Sequence, residues 1–371
     1  MCPPDPPTAD PMAHALALAE GAVGLSEPNP RVGCVVVAPD GRWLGEGHTQ
    51  AAGSAHAEVM ALRAARAAGA DPRGATAYVT LEPCAHHGRT PPCCDALVES
   101  GVARVVVAAG DPNPLVNGQG MARLRAAGIQ VDRAGPAAER ASRELNIGFF
   151  SRMERGRPWV RMKLAASLDG RTALPNGASQ WITGEAARHD GHAWRRRAAA
   201  LLTGSGTVLA DDPRLDVRGH PVQRQPLRVV LDSQLRTPPG ARLFDAQAPL
   251  LIVGAALDGD RAAPLRARGA ELLAAPGAGG QVDLAAVHAE LVRRQVNELH
   301  VEAGARLNGA LLAAGWVDEL LLYQAPVLLG DGRPMAALGA LERLADAPRF
   351  RLHDCTPVGD DLRLRLRRVQ D

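Results

Sequence analysis

The stretch between Gly53 and Asp95 decides how the first half of this chain folds and what it binds. It contains an imidazole and a carboxylate two residues apart, and further along it contains three thiols. These groups lie in three short segments: His56-Ala57-Glu58, Leu81-Glu82-Pro83-Cys84 and Pro91-Pro92-Cys93-Cys94. An Ala/Arg-rich helical pattern and then a β-branched strand pattern separate the first two segments. The sequence therefore predicts a helix that begins beside the imidazole and a strand that ends just before the first thiol.

One histidine and two cysteines suit a catalytic zinc site, which uses three protein ligands and leaves the fourth position to water. The metal lowers the pKa of that water, so hydroxide forms near neutral pH. A nearby carboxylate that is not a ligand carries the proton to the departing amine. The pattern H-x-E, then P-C and a second Cys, is typical of nucleobase deaminases. We therefore predict His56, Cys84 and Cys93 as zinc ligands and Glu58 as the proton carrier.

The spacing of the two thiols departs from the usual deaminase pattern P-C-x-x-C, because eight residues separate Cys84 from Cys93. Cys94 is an alternative ligand to Cys93. Adjacent side chains at the start of a helix point in different directions, so we expect only one of the two to bind the metal. His86 and His87 are either alternative ligands or loop residues without a role at the metal. The sequence leaves these alternatives open.

The composition argues against several classes of protein. A length of 371 residues is too great for one comfortable core and predicts two domains. A net charge of +2 and an aromatic content of 3% argue against nucleic acid as a partner. Six unevenly spaced cysteines do not resemble a secreted disulfide framework. No apolar run approaches about 18 residues and the first residues lack a signal-peptide core, so we expect a cytoplasmic protein without a membrane partner.

Alternating strand and helix patterns predict an α/β fold in both halves, with a three-layer sandwich in the first. Residues 149–157 are predicted to form a charged connector. We place the domain boundary near Met153, which gives domains 1–152 and 153–371. Residues 362–369 alternate Leu with Arg and predict an exposed or edge strand.

Three further features are candidates for binding. The only lysine of the chain is Lys163, and a position that keeps Lys among so many arginines indicates a need for a compact ammonium, although chance retention is an alternative. Gly304 and Gly309 follow a predicted strand, where backbone amides can face a phosphate; a plain tight turn fits the spacing equally well. Asn29 lies between two prolines in a restricted backbone that suits an amide aimed at a ligand, and an ordinary Asx turn is the alternative.

Taken together, these motifs resemble a family of bifunctional riboflavin biosynthesis enzymes. The family joins diaminohydroxyphosphoribosylaminopyrimidine deaminase to 5-amino-6-(5-phosphoribosylamino)uracil reductase. The resemblance covers nearly the whole chain, and the long spacing between the two thiols is the spacing that this family uses. The matching segments are residues 28–34, 56–58, 80–95, 163–171, 179–183, 207–213 and 301–311.

The resemblance implies the fold and the reactions of both domains. It implies a cytidine-deaminase-like first domain that hydrolyses the 2-amino group of a diaminopyrimidinone carrying a ribosyl phosphate, with zinc as its metal. It implies a dihydrofolate-reductase-like second domain that reduces the ribose to a ribityl chain with NADPH. It also implies a homodimer through the reductase domain.

The resemblance further implies which residues bind each ligand. For NADPH it implies Ala165, Trp181, Thr207, Asp211, Ser233, Gly304, Ala305, Arg306, Leu307, Asn308, Gly309 and Ala310. For the phosphorylated substrate it implies Ser179, Arg195, Leu215, Arg218 and Glu302, and arginine suits a phosphate because its planar fork binds two oxygens. Lys163 lies in a matching strand, which suggests an electrostatic or proton-relay role. Without the resemblance, Trp181 is compatible with a core position, and Asp211-Asp212 with a solvated turn or a helix cap.

Two other functions are compatible with the residues. One is a nucleoside or tRNA deaminase fused to an unrelated domain, against which the low charge and the scarce aromatics argue. The other is a binding protein stabilised by zinc and without turnover. Glu58 distinguishes this second alternative, because a structural zinc site has four protein ligands and needs no neighbouring carboxylate.

Overall fold

A computed structural model describes residues 10–88, 90–114 and 116–369 of the chain. The chain divides into two compact units between Arg157 and Pro158. Both units combine helices with a mixed sheet, so the predicted α/β class is confirmed. No helix in these ranges has the length and apolar character that a membrane span requires.

Among the residues that the structure describes, the first unit contains six α-helices and five strands. They are α1 (Pro11–Ala19), β1 (Gly33–Val37), β2 (Trp43–His48), α2 (Ala57–Ala67), β3 (Thr76–Leu81), α3 (Cys93–Ser100), β4 (Arg104–Ala109), α4 (Gln119–Ala126), β5 (Gln130–Arg133), α5 (Pro136–Leu145) and α6 (Ile147–Arg155). The strand order is β2-β1-β3-β4-β5. Strand β1 is antiparallel to β2 and β3, whereas β3, β4 and β5 are parallel.

Apolar side chains on both faces of this sheet produce the three predicted layers. Leu62 of α2 and Leu97 of α3 pack in the core on one face, and Met12 of α1 packs on the other. Two glycines of β2 let α2 lie directly on the sheet, since a Cβ at Gly45 would be 2.2 Å from the Ala61 carbonyl oxygen and one at Gly47 would also collide with α2. This close packing fixes α2 on the sheet, and the predicted metal ligand His56 lies at the start of that helix.

The prediction of a charged connector over residues 149–157 was wrong, because most of this segment belongs to helix α6. Phe149 and Phe150 are buried in the core of the first unit, and the Arg143 guanidinium lies 4.1 Å from the centre of the Phe150 ring. Gly156 ends the helix with φ of +66°. The charged residues on the outer face of α6 made the segment resemble a connector in the sequence, so its apolar face was overlooked. The predicted boundary near Met153 lies within this helix.

The second unit contains eleven strands and five helices among the described residues. They are β6 (Trp159–Ser167), β7 (Arg171–Ala173), α7 (Glu185–Arg197), β8 (Ala200–Gly204), α8 (Ser205–Asp211), β9 (Leu227–Leu231), β10 (Leu250–Gly254), α9 (Ala262–Ala267), β11 (Glu271–Ala274), α10 (Leu284–Arg293), β12 (Glu298–Val301), α11 (Ala305–Ala313), β13 (Glu319–Ala325), β14 (Arg333–Pro334), β15 (Phe350–Val358) and β16 (Asp361–Arg368).

Nine of these strands form one sheet in the order β11-β10-β9-β8-β12-β6-β13-β16-β15. The strands from β11 to β13 are parallel, and β16 and β15 are antiparallel to their neighbours. Helices α10 and α11 pack on one face, and α7, α8 and α9 contribute to the apolar clusters on the other. Because the parallel strands share a direction, their carboxyl ends and the loops that follow lie at one edge of the sheet.

Residues 361–368 form a strand, as predicted, but the prediction that it is exposed or at the edge was wrong. Strand β16 lies between β13 and β15, and β15 forms the edge. The arginines of β16 face buried carboxylates: Arg365 Nη2 lies 3.0 Å from Glu319 Oε2, and Arg161 Nε of β6 lies 2.6 Å from Glu319 Oε1. The Leu/Arg alternation therefore belongs to a strand whose charged face is turned into the protein.

Candidate functional site

The predicted zinc ligands come from three different elements of the first unit and meet at one point. His56 is the N-cap residue of α2, Cys84 follows the end of β3, and Cys93 is the first residue of α3. Their ligand atoms all lie within 4.8 Å of one another. His56 Nδ1 is 3.3 Å from Cys93 Sγ and 3.7 Å from Cys84 Sγ. One imidazole nitrogen and two sulfurs fit a zinc ion and leave the fourth position of a tetrahedral site for water.

The electrostatics of this cluster are those of a site that favours a bound cation. The hydrogen bond with Cys93 lowers the pKa of the Cys84 thiol, and the same contact raises the pKa of Cys93, so the thiolate is held on Cys84. The hydrogen bond to Cys84 raises the pKa of His56. Burial in the first turn of α2 raises the pKa of the Glu58 carboxyl, which is 3% exposed.

The structure separates the alternative ligand Cys94 from the cluster. The Cys94 thiol donates to the Pro83 carbonyl oxygen at 3.3 Å and is 3.5 Å from that of Gly120. Burial raises its pKa to about 12. Neither His86 nor His87 belongs to the three-residue ligand group found among the described residues. Of the two adjacent cysteines, only Cys93 therefore faces the histidine.

Sequence reasoning missed Glu82, which lies two residues before the ligand Cys84. Its buried carboxylate accepts four backbone N–H groups from the polar loop and the start of α4. The donors are Asp111 at 3.3 Å, Gly118 at 3.1 Å, Gly120 at 3.0 Å and Met121 at 3.2 Å. An acidic residue next to a Pro-Cys segment at a buried strand end was the only available signal, and it did not reveal the partners.

The predicted substrate residue Asn29 lies in the turn that precedes β1. Its backbone N–H donates to the Ser26 carbonyl oxygen at 2.8 Å, and its own carbonyl oxygen accepts from the Ser26 hydroxyl at 3.1 Å. Its side-chain amide has no hydrogen-bond partner within the described ranges. These backbone contacts hold the turn and leave the side-chain amide available for a ligand. In an Asx turn the side chain would itself make the local hydrogen bond, so that alternative does not apply.

The predicted reductase residues lie at or near the carboxyl edge of the parallel sheet. Lys163 and Ala165 belong to β6, Ser233 follows β9, and Glu302 follows β12. The remaining predicted residues lie in α7 and α8, in the loops on either side of them, and at the start of α11. The carboxyl edge of a parallel sheet is where α/β proteins bind their ligands.

Four charged residues meet at this edge. Arg195 of α7 forms a bidentate pair with Glu302, with Nε–Oε1 at 2.5 Å and Nη2–Oε2 at 2.8 Å. Arg195 Nη1 also donates to the Asp216 carbonyl oxygen at 2.9 Å. Loss of hydration lowers the pKa of Lys163, and Arg195 lowers it further while Glu302 opposes the change. Although partial burial opposes ionisation, Arg195 holds the pKa of the half-buried Glu302 well below its usual range.

Two other predicted residues, Trp181 and Leu215, and the neighbour of the predicted Asp211 take separate positions. Trp181 is 69% exposed and lies 4.5 Å from the Arg188 guanidinium, so the core alternative does not apply. Asp212 ends α8 with φ of +41° and accepts the Arg242 N–H at 2.8 Å, as the cap alternative predicts. The Leu215 side chain is buried in the hydrophobic core, so only its backbone is available to a ligand.

The start of α11 fits a dinucleotide phosphate. The helix begins after Gly304 without a side-chain cap, so its first N–H groups are available to an anion. Asn308 donates from Nδ2 to the carbonyl oxygens of Ala303 and Met335, and its buried Oδ1 has no partner among the described residues. Gly309 serves packing instead, because a Cβ there would lie 2.0 Å from the Ala337 carbonyl oxygen.

Comparisons with known proteins agree with this division. Residues 8–109 match the family described as cytidine and deoxycytidylate deaminase zinc-binding region, and residues 158–364 match the RibD C-terminal domain. The riboflavin biosynthesis protein RibD of Escherichia coli (strain K12) is 48% identical over 368 residues, which cover 96% of this chain and 98% of the relative. RibD of Aquifex aeolicus is 40% identical over 351 residues, which cover 95% of this chain and 96% of the relative.

Solved structures give the same result. Acinetobacter baumannii RibD, form 1, matches with a TM-score of 0.86 and 42% identity over 97% of this chain and 98% of that chain. The diaminohydroxyphosphoribosylaminopyrimidine deaminase/5-amino-6-(5-phosphoribosylamino)uracil reductase of Thermotoga maritima matches with a TM-score of 0.86 and 32% identity over the same shares. Because relatives match over almost the full length and a family description matches each unit, the chain belongs to the RibD family of riboflavin biosynthesis proteins, with a zinc-binding deaminase domain followed by a reductase domain.

Proposed function

We propose that the first unit deaminates a diaminopyrimidinone carrying a ribosyl phosphate, and that the second unit then reduces its ribose to a ribityl chain. The observation that carries the proposal is the meeting of His56 Nδ1, Cys84 Sγ and Cys93 Sγ within 4.8 Å. Beside them lies a buried carboxyl, Glu58, that is not one of the ligands. We assign residues up to about the boundary between Arg157 and Pro158 to the deaminase and the rest to the reductase.

In the deaminase, His56, Cys84 and Cys93 hold the zinc ion. Zinc, when bound, acts as a Lewis acid that makes water a nucleophile near neutral pH. Glu58 takes a proton from the attacking water and passes it to the amino group, so the carbon–nitrogen bond breaks and ammonia leaves. Asn29 offers an unpaired amide for the pyrimidine ring. The Cys93 N–H donates to Cys84 Sγ at 3.3 Å and fixes the position of the Cys84 sulfur beside the start of α3.

In the reductase, NADPH, when bound, would supply a hydride to the open-chain carbonyl or imine carbon of the ribose. The chain's own residues bind and orient the two ligands. The start of α11, from Gly304 to Ala310, together with Ala165, Trp181, Thr207, Asp211 and Ser233, forms the proposed dinucleotide site. Lys163 stabilises the charge or supplies the proton at the heteroatom that is reduced.

The phosphorylated substrate lies in this proposal beside Arg195, Arg218 and Glu302, with Ser179 and the backbone of Leu215. The support is the network of charges at the carboxyl edge of the sheet. Arg195 is fixed by Glu302, and Arg218 Nη1 forms an ion pair with the Asp216 carboxylate. Guanidinium groups held by carboxylates are already oriented, so their side chains lose less conformational entropy when a phosphate binds.

We also propose a cytoplasmic homodimer that assembles through the reductase unit. The described cysteines, Cys34, Cys84, Cys93, Cys94 and Cys355, are all free thiols, as in a reducing compartment. Edge strand β15 carries an exposed Leu352, and an exposed edge strand is suited to pairing with a second copy. Light scattering at several protein concentrations and cell fractionation test the two statements.

The function is tested by zinc analysis together with a two-stage assay. Ammonia should appear from the phosphorylated pyrimidinone without any nucleotide, and NADPH should be consumed only after ammonia release. Chelation should abolish ammonia release and leave the reductase active on pre-deaminated substrate. Ammonia release from cytidine or RNA alone would instead indicate a nucleoside or tRNA deaminase.

A further inference from the structure

One histidine in the reductase unit contacts Arg218, a proposed substrate arginine, and was not singled out by the sequence. His192 lies on α7, three residues before Arg195, which places both side chains on neighbouring positions of the same helical face. Its Nδ1 accepts the backbone N–H of Arg218 at 3.1 Å. The imidazole therefore joins α7 to the loop that carries the second proposed substrate arginine.

This contact determines where the imidazole keeps its proton. A ring nitrogen that accepts an N–H has no proton of its own, so the neutral ring carries its proton on Nε2. Loss of hydration and then the neighbouring charges of Arg195 and Arg218 together lower the pKa of His192 to about 4, against the opposing effect of Glu302 and Asp216. At neutral pH the side chain is therefore an uncharged donor with a fixed tautomer.

The donor is available to a ligand. Nε2 of His192 makes no hydrogen bond with any residue in the described ranges, and it is not among the buried side-chain atoms that lack a partner. It is therefore open to solvent at a point beside Arg195 and Arg218. An N–H in such a position is satisfied by water in the free enzyme and by a ligand oxygen when a ligand binds.

The loop on the other side of the imidazole is held in place by several contacts, so the position of the donor is defined. Gln225 exchanges two hydrogen bonds with the backbone of Val217, at 2.8 and 3.1 Å. Arg195 Nη1 donates to the Asp216 carbonyl oxygen at 2.9 Å. These contacts and the His192 contact fix three consecutive residues of the loop against the rest of the unit.

We propose that His192 is a binding and positioning residue of the reductase site: its Nδ1 fixes Arg218, and its Nε2–H donates to a phosphate oxygen of the substrate. The inference rests on the proposed placement of the substrate phosphate beside Arg195 and Arg218. A neutral donor suits this place because the two guanidinium groups already have carboxylate partners in Glu302 and Asp216. The imidazole adds a hydrogen bond to the anion without another buried charge to neutralise.

Two substitutions separate the two roles of the ring. In His192→Asn the amide oxygen takes the position of Nδ1 and still accepts the Arg218 N–H, but no group reaches the position of Nε2. In His192→Gln the amide nitrogen reaches toward the position of Nε2, but the acceptor for Arg218 is lost. The assay is steady-state NADPH oxidation by the full-length protein with pre-deaminated phosphorylated substrate and with the same substrate after removal of its phosphate.

His192→Asn should raise KM for the phosphorylated substrate by about 10- to 100-fold, the effect of losing one hydrogen bond to a charged group. The turnover number and the KM for NADPH should stay within about twofold of the wild-type values, because the lost contact affects only the binding of the substrate. His192→Gln should recover part of the loss. With the dephosphorylated substrate, wild type and His192→Asn should have the same KM. The proposal would be overturned if wild type and His192→Asn had equal KM values for the phosphorylated substrate. It would also be overturned if the ratio of their KM values were the same with and without the phosphate.

Two further variants control for other causes. His189 lies on the same helix, and its ring packs on the His220 ring with centroids 4.2 Å apart. His189→Asn removes this packing but touches neither the proposed donor nor the contact that fixes Arg218, so it should leave KM unchanged. Arg218→Ala tests the underlying placement of the substrate. A KM that is insensitive to Arg218→Ala contradicts the proposed function, whereas a KM that responds to Arg218→Ala and not to His192→Asn contradicts only the role of His192.

Discussion

The carboxylate of Glu82 accepts the backbone N–H of Gly120 at 3.0 Å, and Gly120 in turn lies against the peptide that leads to the zinc ligand Cys84. A Cβ at Gly120 would be 1.9 Å from the Pro83 carbonyl oxygen, a backbone atom that cannot move alone. The Glu82 carboxylate and the lack of a side chain at Gly120 therefore fix the polar loop in its position against the segment that carries Cys84.

Gly120→Ala should displace the segment that carries Cys84. We expect a loss of about 1–3 kcal/mol in the stability of the first unit, the usual cost of overpacking, together with a clear drop in zinc per chain and in ammonia release. The reductase should be unaffected. The matched control is Gly128→Ala, where φ is +83° but no atom lies within 4 Å of the added Cβ. If both variants lose zinc equally, the contact with Pro83 is not the cause.

Glu58→Gln should separate metal binding from proton transfer. Glu58 is buried in the first turn of α2 and is not one of the three ligands, so zinc content should stay near that of the wild type. Ammonia release should fall by about 100- to 10,000-fold, the range for loss of a general acid–base group. Glu99→Gln on the exposed face of α3 is the control. Full activity of Glu58→Gln would remove this residue from the mechanism.

Lys163→Arg should impair the reductase and spare the deaminase. Lys163 faces the space beside Glu302 and Arg195, and its Nζ lies 5.8 Å from the centre of the Tyr323 ring. A planar guanidinium does not fit where a compact ammonium does, and it cannot give up its proton near neutral pH. We expect a lower turnover number for NADPH oxidation with unchanged ammonia release. Unchanged reductase turnover would show that a positive charge alone is sufficient at this position.

The zinc cluster could be predicted from the sequence because each ligand lies at the boundary of a local element. His56 begins α2, and Cys93 begins α3, so helix and strand patterns place them without tertiary information. The choice between Cys93 and Cys94 could not be made in this way. The choice depends on the carbonyl oxygens of Pro83 and Gly120, which accept the hydrogen bonds of the Cys94 thiol. These oxygens lie near Cys94 only because the loop before α4 packs against the end of β3.

The charged face of β16 could not be predicted for a similar reason. Alternating Leu and Arg fits an exposed strand and a strand with a buried ionic face equally well. The difference is made by Glu319, which is 46 residues before Arg365 in the chain but lies on the neighbouring strand β13, with its Oε2 3.0 Å from Arg365 Nη2. His192 also gave no local signal, because its partner Arg218 is 26 residues away in a loop without regular structure.

Glu319 should make the second unit sensitive to acid. Its buried carboxylate lies within 3.3 Å of nitrogen atoms of Arg161, Arg365 and Arg367. Burial opposes ionisation, but Arg161 and Arg365 prevail and lower the pKa of Glu319 to about 2. Since the unfolded chain has a Glu pKa of about 4.3, the stabilisation is complete above about pH 5 and is lost progressively as the pH falls from there through about 2.

The substitution Glu319→Gln removes the charge and leaves Arg161 buried without one of its partners. We expect a loss of about 3–5 kcal/mol in the free energy of unfolding at pH 7 and a weaker dependence on pH below about 5. Urea unfolding followed by tryptophan fluorescence is suitable, because four of the five tryptophans lie in the second unit and Trp194 is 4.5 Å from the Arg161 guanidinium. Glu342→Gln is the control, since Glu342 is exposed and has no ion pair in the part of the chain described. A Glu319→Gln protein that keeps the wild-type slope between pH 5 and pH 3 would show that other carboxylates determine the acid sensitivity.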